Sequence, residues 1–151
     1  MIMPPSYSFE LYCIPAGARS DSRYPMRRTY VPHYYIALRN GHNEADYIGF
    51  NNKALLKGLI DPKTDQKIDY NSRAYGIWFA TDSYIYDERY SQGTLLESYP
   101  ITKAKFKKLR SAITKMQDNL PFYWLAAHLY NDDNYQNCLS FSRQMKAIAL
   151  M

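Results

Sequence analysis

The spacing of apolar residues changes once along this chain, at Pro100. Before that point, runs such as Tyr7 to Cys13 alternate apolar and polar residues with the period of two that half-buried strands show. After it, apolar residues recur at steps of three and four, as they do on one face of a helix. Strands followed by helices predict an α+β fold, in which an antiparallel β-sheet of four to six strands is covered by packed helices.

Further short segments complete the predicted sheet. The runs His33 to Leu38 and Asp46 to Asn51 flank a turn-rich stretch and are predicted to form a hairpin. Additional strands are expected at Ala74 to Ala80 and Thr94 to Tyr99, while Ser83 to Tyr90 fits either a strand or a loop. Residues 53–59 fit a short helical turn.

Two helices are predicted after the strands, and Thr102 and Asn137 are suitable N-caps for them. Their apolar faces consist of Phe106, Leu109, Ile113 and Met116 in the first helix and Cys138, Phe141, Met145 and Ile148 in the second. Between the helices, Pro121 to Leu129 is apolar enough to be buried. The exposed face of the first helix is strongly basic, and we interpret it as a solvated face because no groove-reading motif accompanies it. Its cations are Lys103, Lys105, Lys107, Lys108, Arg110 and Lys115.

Length and composition limit the classes of protein that fit. With 151 residues, 46% of them hydrophobic and 22% charged, the chain is expected to form one folded domain over residues 1–151. Two cysteines cannot supply the disulfide framework of a small secreted scaffold. No run reaches the roughly 20 apolar residues of a transmembrane helix, and the start of the sequence lacks the features of a Sec signal. The net charge of +5 favours anionic partners.

Cys138 is predicted to lie in the first turn of the last helix. Backbone N–H groups and the helix dipole at that position favour an anion, so they favour the nucleophilic thiolate. The N–H of Cys138 also points to where an oxyanion would form during attack on an acyl carbon. A cysteine that only packs at the helix start is the competing interpretation.

His33 is the candidate base for this nucleophile. It opens an apolar strand, and a strand histidine that faces a helix N-terminus can take the thiol proton and later protonate a leaving group. His42 lies in the hairpin turn. His128 remains a competitor because it precedes Cys138 closely in the sequence.

Asn51 is the candidate orienter of the imidazole. If the hairpin pairs Leu38 with Asp46, Asn51 falls opposite His33 on the same face of the sheet. A slip of one residue would replace it, so alternatives remain open at Asn52, Glu44 and Asp46.

Other kinds of site find no support in the sequence. Three dispersed histidines and two separated cysteines give no zinc spacing. There is neither a glycine-rich phosphate loop nor a Gly-x-Ser-x-Gly elbow. We therefore expect no metal and no cofactor.

The order of these motifs resembles that of circularly permuted papain-like proteins of the NlpC-type amidase superfamily, including bacterial secretion-system effectors. In that superfamily a strand histidine comes early, and the nucleophile follows late in an Asn-Cys-x-x-Phe motif that opens a helix. The matching segments here are His33-Tyr34-Tyr35-Ile36-Ala37-Leu38, Tyr47-Ile48-Gly49-Phe50, Ser98-Tyr99-Pro100-Ile101-Thr102, Tyr123-x-Leu125 and Asn137-Cys138-Leu139-Ser140-Phe141. One departure is Pro32, since related sequences often have glycine before the histidine.

The resemblance implies a cysteine hydrolase, an amidase or endopeptidase, in a permuted papain-like arrangement. Cys138 would be the nucleophile, His33 the general base and acid, and Asn51 the orienter, with Asn137 and Gln136 supporting the nucleophile loop and the oxyanion. The implied substrate is the peptide part of bacterial peptidoglycan, an anionic polymer, and nucleic acid is not an expected partner. The implied setting is an antibacterial effector, cytoplasmic before an export that bypasses Sec, which acts in the target-cell periplasm and has a cognate immunity protein.

Two other interpretations remain open. Relatives of lecithin:retinol acyltransferase also carry an Asn-Cys-x-x-Phe helix, and they act on lipid acyl esters. The chain could instead be a non-enzymatic, basic, tyrosine-rich binding module in which Cys138 merely packs.

Overall fold

The computed structural model describes residues 6–18, 22, 32–41, 44–52, 79–80, 83–124, 127–129 and 134–151. Within these ranges six strands precede the first α-helix and two short strands lie between the two α-helices, so the predicted α+β class is confirmed. The strands are β1 (Tyr7–Ile14), β2 (His33–Asn40), β3 (Glu44–Asn52), β4 (Phe79–Ala80), β5 (Ser83–Asp87), β6 (Thr94–Ile101), β7 (Phe122–Trp124) and β8 (Tyr135–Gln136). The helices are α1 (Lys103–Asp118) and α2 (Cys138–Leu150), with a 3₁₀ turn at Ala127–Leu129.

Five strands form an antiparallel sheet in the order β5-β3-β2-β1-β6. In the hairpin of β2 and β3, Leu38 lies opposite Asp46, which is the register that the hairpin prediction used. The segment that fitted either strand or loop forms β5 and closes the sheet beside β3. Of the strand expected at 74–80, only residues 79–80 are described, and the helical turn expected at 53–59 lies outside the described residues.

Both α-helices begin where their caps were predicted. The Thr102 hydroxyl accepts a hydrogen bond from the Lys105 backbone N–H at 3.1 Å, and Asn137 forms a capping box with Ser140. The two helices pack on the same face of the sheet and share one core with it. That core contains Phe9, Leu11, Ile36, Leu38, Phe50, Phe106, Leu109, Ile113, Phe141, Met145 and Ala149. Neither of these described helices is long and apolar enough to cross a membrane.

The apolar run before α2 is only partly buried. β7 pairs with β4 and β8 in a second, three-stranded sheet. The 3₁₀ turn that follows buries Ala127 but leaves Leu129 70% exposed. The prediction that the whole run is buried is therefore wrong at its end, because a single tight turn can direct only some of its side chains inward.

The packing of α2 on the sheet depends on Phe141. Its ring is fully buried and stacks on Phe50 with ring centroids 6.1 Å apart. We expect Phe141→Ala to lower the free energy of unfolding by about 3–5 kcal/mol, because it removes a large buried ring and leaves a cavity. Leu150→Ala, on the same helix at a side chain 52% exposed, should change it by less than about 0.5 kcal/mol. Urea denaturation measures both, and equal losses would contradict this packing.

Candidate active site

The start of α2 lies against the start of β2. Cys138 is the first residue of the helix and is 9% exposed. Its Sγ lies 3.9 Å from the backbone oxygen of Pro32, the residue that precedes His33. The fold thus brings the candidate nucleophile and the candidate base together from distant parts of the chain.

Hydrogen bonds fix the loop that leads into Cys138. Asn137 Oδ1 accepts from the Ser140 backbone N–H at 2.8 Å, and the Asn137 backbone N–H donates to Ser140 Oγ at 2.8 Å. Ser140 Oγ in turn donates to Gln136 Oε1 at 2.6 Å, and Gln136 Nε2 donates to Gln144 Oε1 at 3.0 Å. The amide of Gln136 and the N–H of Ser140 are therefore engaged in holding the loop, and the N–H groups of Cys138 and Leu139 are the first-turn donors that can serve an oxyanion.

The His33 imidazole is held by a buried carboxylate. Its Nε2 donates to Glu88 Oε1 at 2.6 Å, and the two side chains are 13% and 2% exposed. Because Glu88 occupies Nε2, Nδ1 is the ring nitrogen left to face the thiol of Cys138. Burial by itself lowers the pKa of His33, but the Glu88 carboxylate and hydrogen bonds with Cys138 and Glu88 outweigh burial and raise the pKa well above its usual range.

Glu88 is itself surrounded by donors. Asn51 Nδ2 donates to Glu88 Oε1 at 3.1 Å, and Ser91 Oγ donates to Glu88 Oε2. Gly49 makes room for the carboxylate, since a Cβ at that position would overlap Glu88 Oε1. A buried carboxylate with this many donors is fixed in place, so it can fix the imidazole in turn.

Tyr35 supports the imidazole from the neighbouring position on the sheet face. Its ring is 2% exposed and lies 6.1 Å from the His33 ring, centroid to centroid, at an angle of 29°. The Tyr35 hydroxyl accepts a hydrogen bond from the Gly93 backbone N–H at 2.8 Å. This bond ties the loop after β5, which carries Glu88, to the strand that carries His33.

Asn51 lies at the site but one step away from the imidazole. Its side chain bonds to Glu88, and the carboxylate takes the position next to His33 that the register argument gave to Asn51. Among the alternatives, the Asp46 carboxylate forms an ion pair with Arg110 at 3.3 Å. Glu44 lies opposite Asn40 in the strand register, at the other end of the hairpin from His33. The side chains of Asn52 and His128, and the whole of His42, lie outside the described residues.

Sequence reasoning missed Glu88. The residue falls in the segment that fitted either a strand or a loop, and it reaches the site only because β5 pairs with β3. Its backbone N–H donates to the Tyr47 backbone oxygen at 2.8 Å, which continues that pairing by one residue. A search for acidic residues just after a strand beside the hairpin would have included it.

The second cysteine lies at the same end of the sheet. Cys13 is half-buried and lies opposite Tyr34 in the pairing of β1 with β2. Burial raises the pKa of the Cys13 thiol, and the nearby Cys138 raises it further. The charge of His33 lowers the pKa of Cys13, whereas the His33 pKa reflects both hydrogen bonding and charge at Cys138, so the environments of the two thiols differ.

Comparisons with protein-family models, with curated proteins and with solved structures found no match to this chain. Within the described ranges, no group of three or more metal-ligating side chains comes together. Function is therefore inferred from the chemistry of the site and from the resemblance of its motifs.

The raised pKa of His33 depends on Glu88, so we expect Glu88→Gln to lower that pKa, because burial then acts with less opposition. NMR titration of the imidazole measures the change. In the wild type the charged pair stabilises the fold in full below the unfolded-state pKa of about 6.5, and this contribution is lost as the pH rises through the higher folded-state pKa. Urea unfolding should show this loss in the wild type and a smaller one in Glu88→Gln.

Glu97→Gln is the matched control, since Glu97 is a half-exposed carboxylate that pairs with Lys146 on another part of the sheet. It should leave the His33 titration unchanged. An unchanged His33 pKa in Glu88→Gln would contradict the described contact.

Proposed function

We propose that this chain is a cysteine hydrolase that cleaves an amide bond through an acyl-enzyme intermediate. Cys138 is the nucleophile, His33 is the general base and acid, and Glu88 positions the imidazole. The observation that carries the proposal is the His33–Glu88 pair, 2.6 Å apart, together with the first-turn thiol of α2, which interacts with the same imidazole and lies 3.9 Å from the backbone oxygen of Pro32. A thiol, an imidazole and an orienting carboxylate in series are the parts that such catalysis needs.

The chemistry follows from this geometry. The protonated His33 faces the Cys138 sulfur, which attacks the substrate carbonyl carbon as a thiolate. A C–S bond forms, and the negative charge on the carbonyl oxygen is stabilised by first-turn N–H groups. His33 then donates its proton to the leaving amine as the C–N bond breaks. In the second half, His33 takes a proton from water, the resulting hydroxide adds to the thioester carbon, and the C–S bond breaks to restore the thiolate.

The proposed arrangement is the circularly permuted papain-like one. It is supported by a histidine strand that comes early, a nucleophile helix that comes late and the contact of the first helix residue, Cys138, with Pro32, which directly precedes the strand. Asn51 enters the proposal as a residue that positions Glu88. Asn137 and Gln136 enter it as residues that hold the nucleophile loop.

The proposed substrate is the peptide part of bacterial peptidoglycan, and the proposed setting is an exported antibacterial effector with a cognate immunity protein. The resemblance of the motifs supports this choice, and so does the basic face of α1. On that face Lys105 is half-buried and Arg110 pairs with Asp46. Four lysines remain exposed to an anionic polymer, namely Lys103, Lys107, Lys108 and Lys115.

One observation favours a second candidate, an acyltransferase or lipase of the lecithin:retinol acyltransferase type. Leu95 and Leu96 are 46% and 52% exposed at the start of β6. The adjacent Thr94 lies opposite Cys13, at the same end of the sheet as Cys138. Apolar surface there suits a lipid acyl chain.

We expect Cys138→Ala to abolish cleavage of purified muropeptides and to leave the circular dichroism spectrum unchanged, because the substitution removes only the attacking sulfur. His33→Ala should lower the rate by at least about a hundredfold, since it removes the general acid and base. Cys13→Ala is the matched control and should retain activity. Mass spectrometry of products from muropeptides and from phospholipid vesicles separates the two candidates, and full activity in Cys138→Ala would refute both.

Thiol reactivity separates an enzyme from a binding module. At pH 7 we expect iodoacetamide to label Cys138 before Cys13, because the carboxylate-bound His33 can act as a base for Cys138 while burial raises the pKa of Cys13. Peptide mapping by mass spectrometry measures both rates. Glu88→Gln should slow the labelling of Cys138 alone, and equal rates for the two thiols would favour the binding module.

A further inference from the structure

We propose that Arg143 and Tyr34 form an anion-recognition subsite beside Cys138, and that the substrate carries a free carboxylate close to the bond that is cleaved. This subsite deepens the proposed function and rests on it, because the bound carboxylate belongs to a substrate only if the chain is an enzyme. The placement of the two side chains, their charge and their neighbours carry it.

The position of Arg143 follows from a contact one turn further along α2. Lys146 Nζ bonds to Glu97 Oε1 at 2.9 Å and lies 5.6 Å from the centre of the Tyr99 ring, so this side of the helix faces β6. Arg143 comes three residues earlier and therefore lies on the same side, nearer to the helix start. Its side chain is exposed.

The strand register shows what lies below that turn. Glu97 is opposite Leu11, and towards the start of β6 the pairing reaches Thr94 opposite Cys13. Cys13 is in turn opposite Tyr34. One helical turn is about 5.4 Å long, and two strand residues span about 6.6 Å, so Arg143 is placed above the Cys13–Tyr34 end of the sheet.

The charges that act on the Tyr34 phenol agree with this placement of Arg143. Burial is the main cause of the raised pKa of Tyr34, the Cys13 and Cys138 sulfurs raise it further, and the Arg143 guanidinium lowers it. The Tyr34 phenol is thus within electrostatic reach of both the nucleophile and the arginine.

The charge of Arg143 is uncompensated within the part of the chain that the structure describes. The three other arginines in these ranges each pair with a carboxylate: Arg39 with Glu10, Arg89 with Asp87 and Arg110 with Asp46. For Arg143 no such pair is formed among the described residues. An exposed guanidinium within electrostatic reach of a phenol hydroxyl offers several donors to a planar carboxylate, which is the group that arginine binds best.

The test uses two muropeptides that differ in one group, a free carboxylate next to the scissile amide or the corresponding carboxamide. The wild type should cleave the carboxylate form with the higher kcat/KM, by about 10- to 100-fold, as expected for a charge-assisted hydrogen bond. Arg143→Gln should remove this preference and leave the rate on the carboxamide unchanged. Tyr34→Phe should reduce the preference by a smaller factor.

Lys146→Gln is the matched control, because it removes a cation from the same side of α2 that already has a carboxylate partner. It should keep the full preference. Equal losses on both peptides in Arg143→Gln, or no loss on either, would overturn the subsite.

Binding measurements keep this inference separate from the proposed function. In the Cys138→Ala background, calorimetry should show tighter binding of the carboxylate peptide, and Arg143→Gln should abolish the difference. If the wild type binds with this preference but cleaves neither peptide, the hydrolase proposal fails and the subsite stands. If an effect of Arg143→Gln is confined to anionic phospholipid vesicles, the subsite belongs to a lipid phosphate and the carboxylate assignment is overturned.

Discussion

The buried pair of His33 and Glu88 is the interaction on which the rest of the site depends. Removing two such groups from water costs several kcal/mol per ion, and the cost is offset only where the geometry is good and the remaining oxygen lone pairs are used. Here Asn51 and Ser91 supply the further donors, and Gly49 supplies the space. Three strands must be in register for this to happen, so the sheet serves as the frame that positions one imidazole.

Much of the fold could be read from the sequence because its signals are local. The period of two in β1, the change of period after Pro100 and the caps Thr102 and Asn137 each act within a few residues. The hairpin register could be inferred because a short turn joins its two strands. These signals were also enough to predict that His33 and Cys138 are neighbours, and the structure places them close together.

Glu88 could not be found in the same way. It reaches His33 through the pairing of β3 with β5, two strands that are far apart in the chain, and no short turn fixes their register. An amide at Asn51 satisfied the local argument, and only the packed structure shows a carboxylate between the amide and the ring. Long-range pairing of this kind leaves little trace in a single sequence, which is also why the charge environment of Arg143 was not foreseen.

The strand that carries His33 and the helix that carries Cys138 lie far apart along the chain, which matters during biosynthesis. His33 leaves the ribosome long before Cys138 does, and the site requires both β5 and α2 to be packed on the hairpin. An incomplete or partly folded chain therefore has a thiol without its base, or a base without its thiol. Under the proposed function, a chain built in this order gains its activity only when α2 has packed on the sheet.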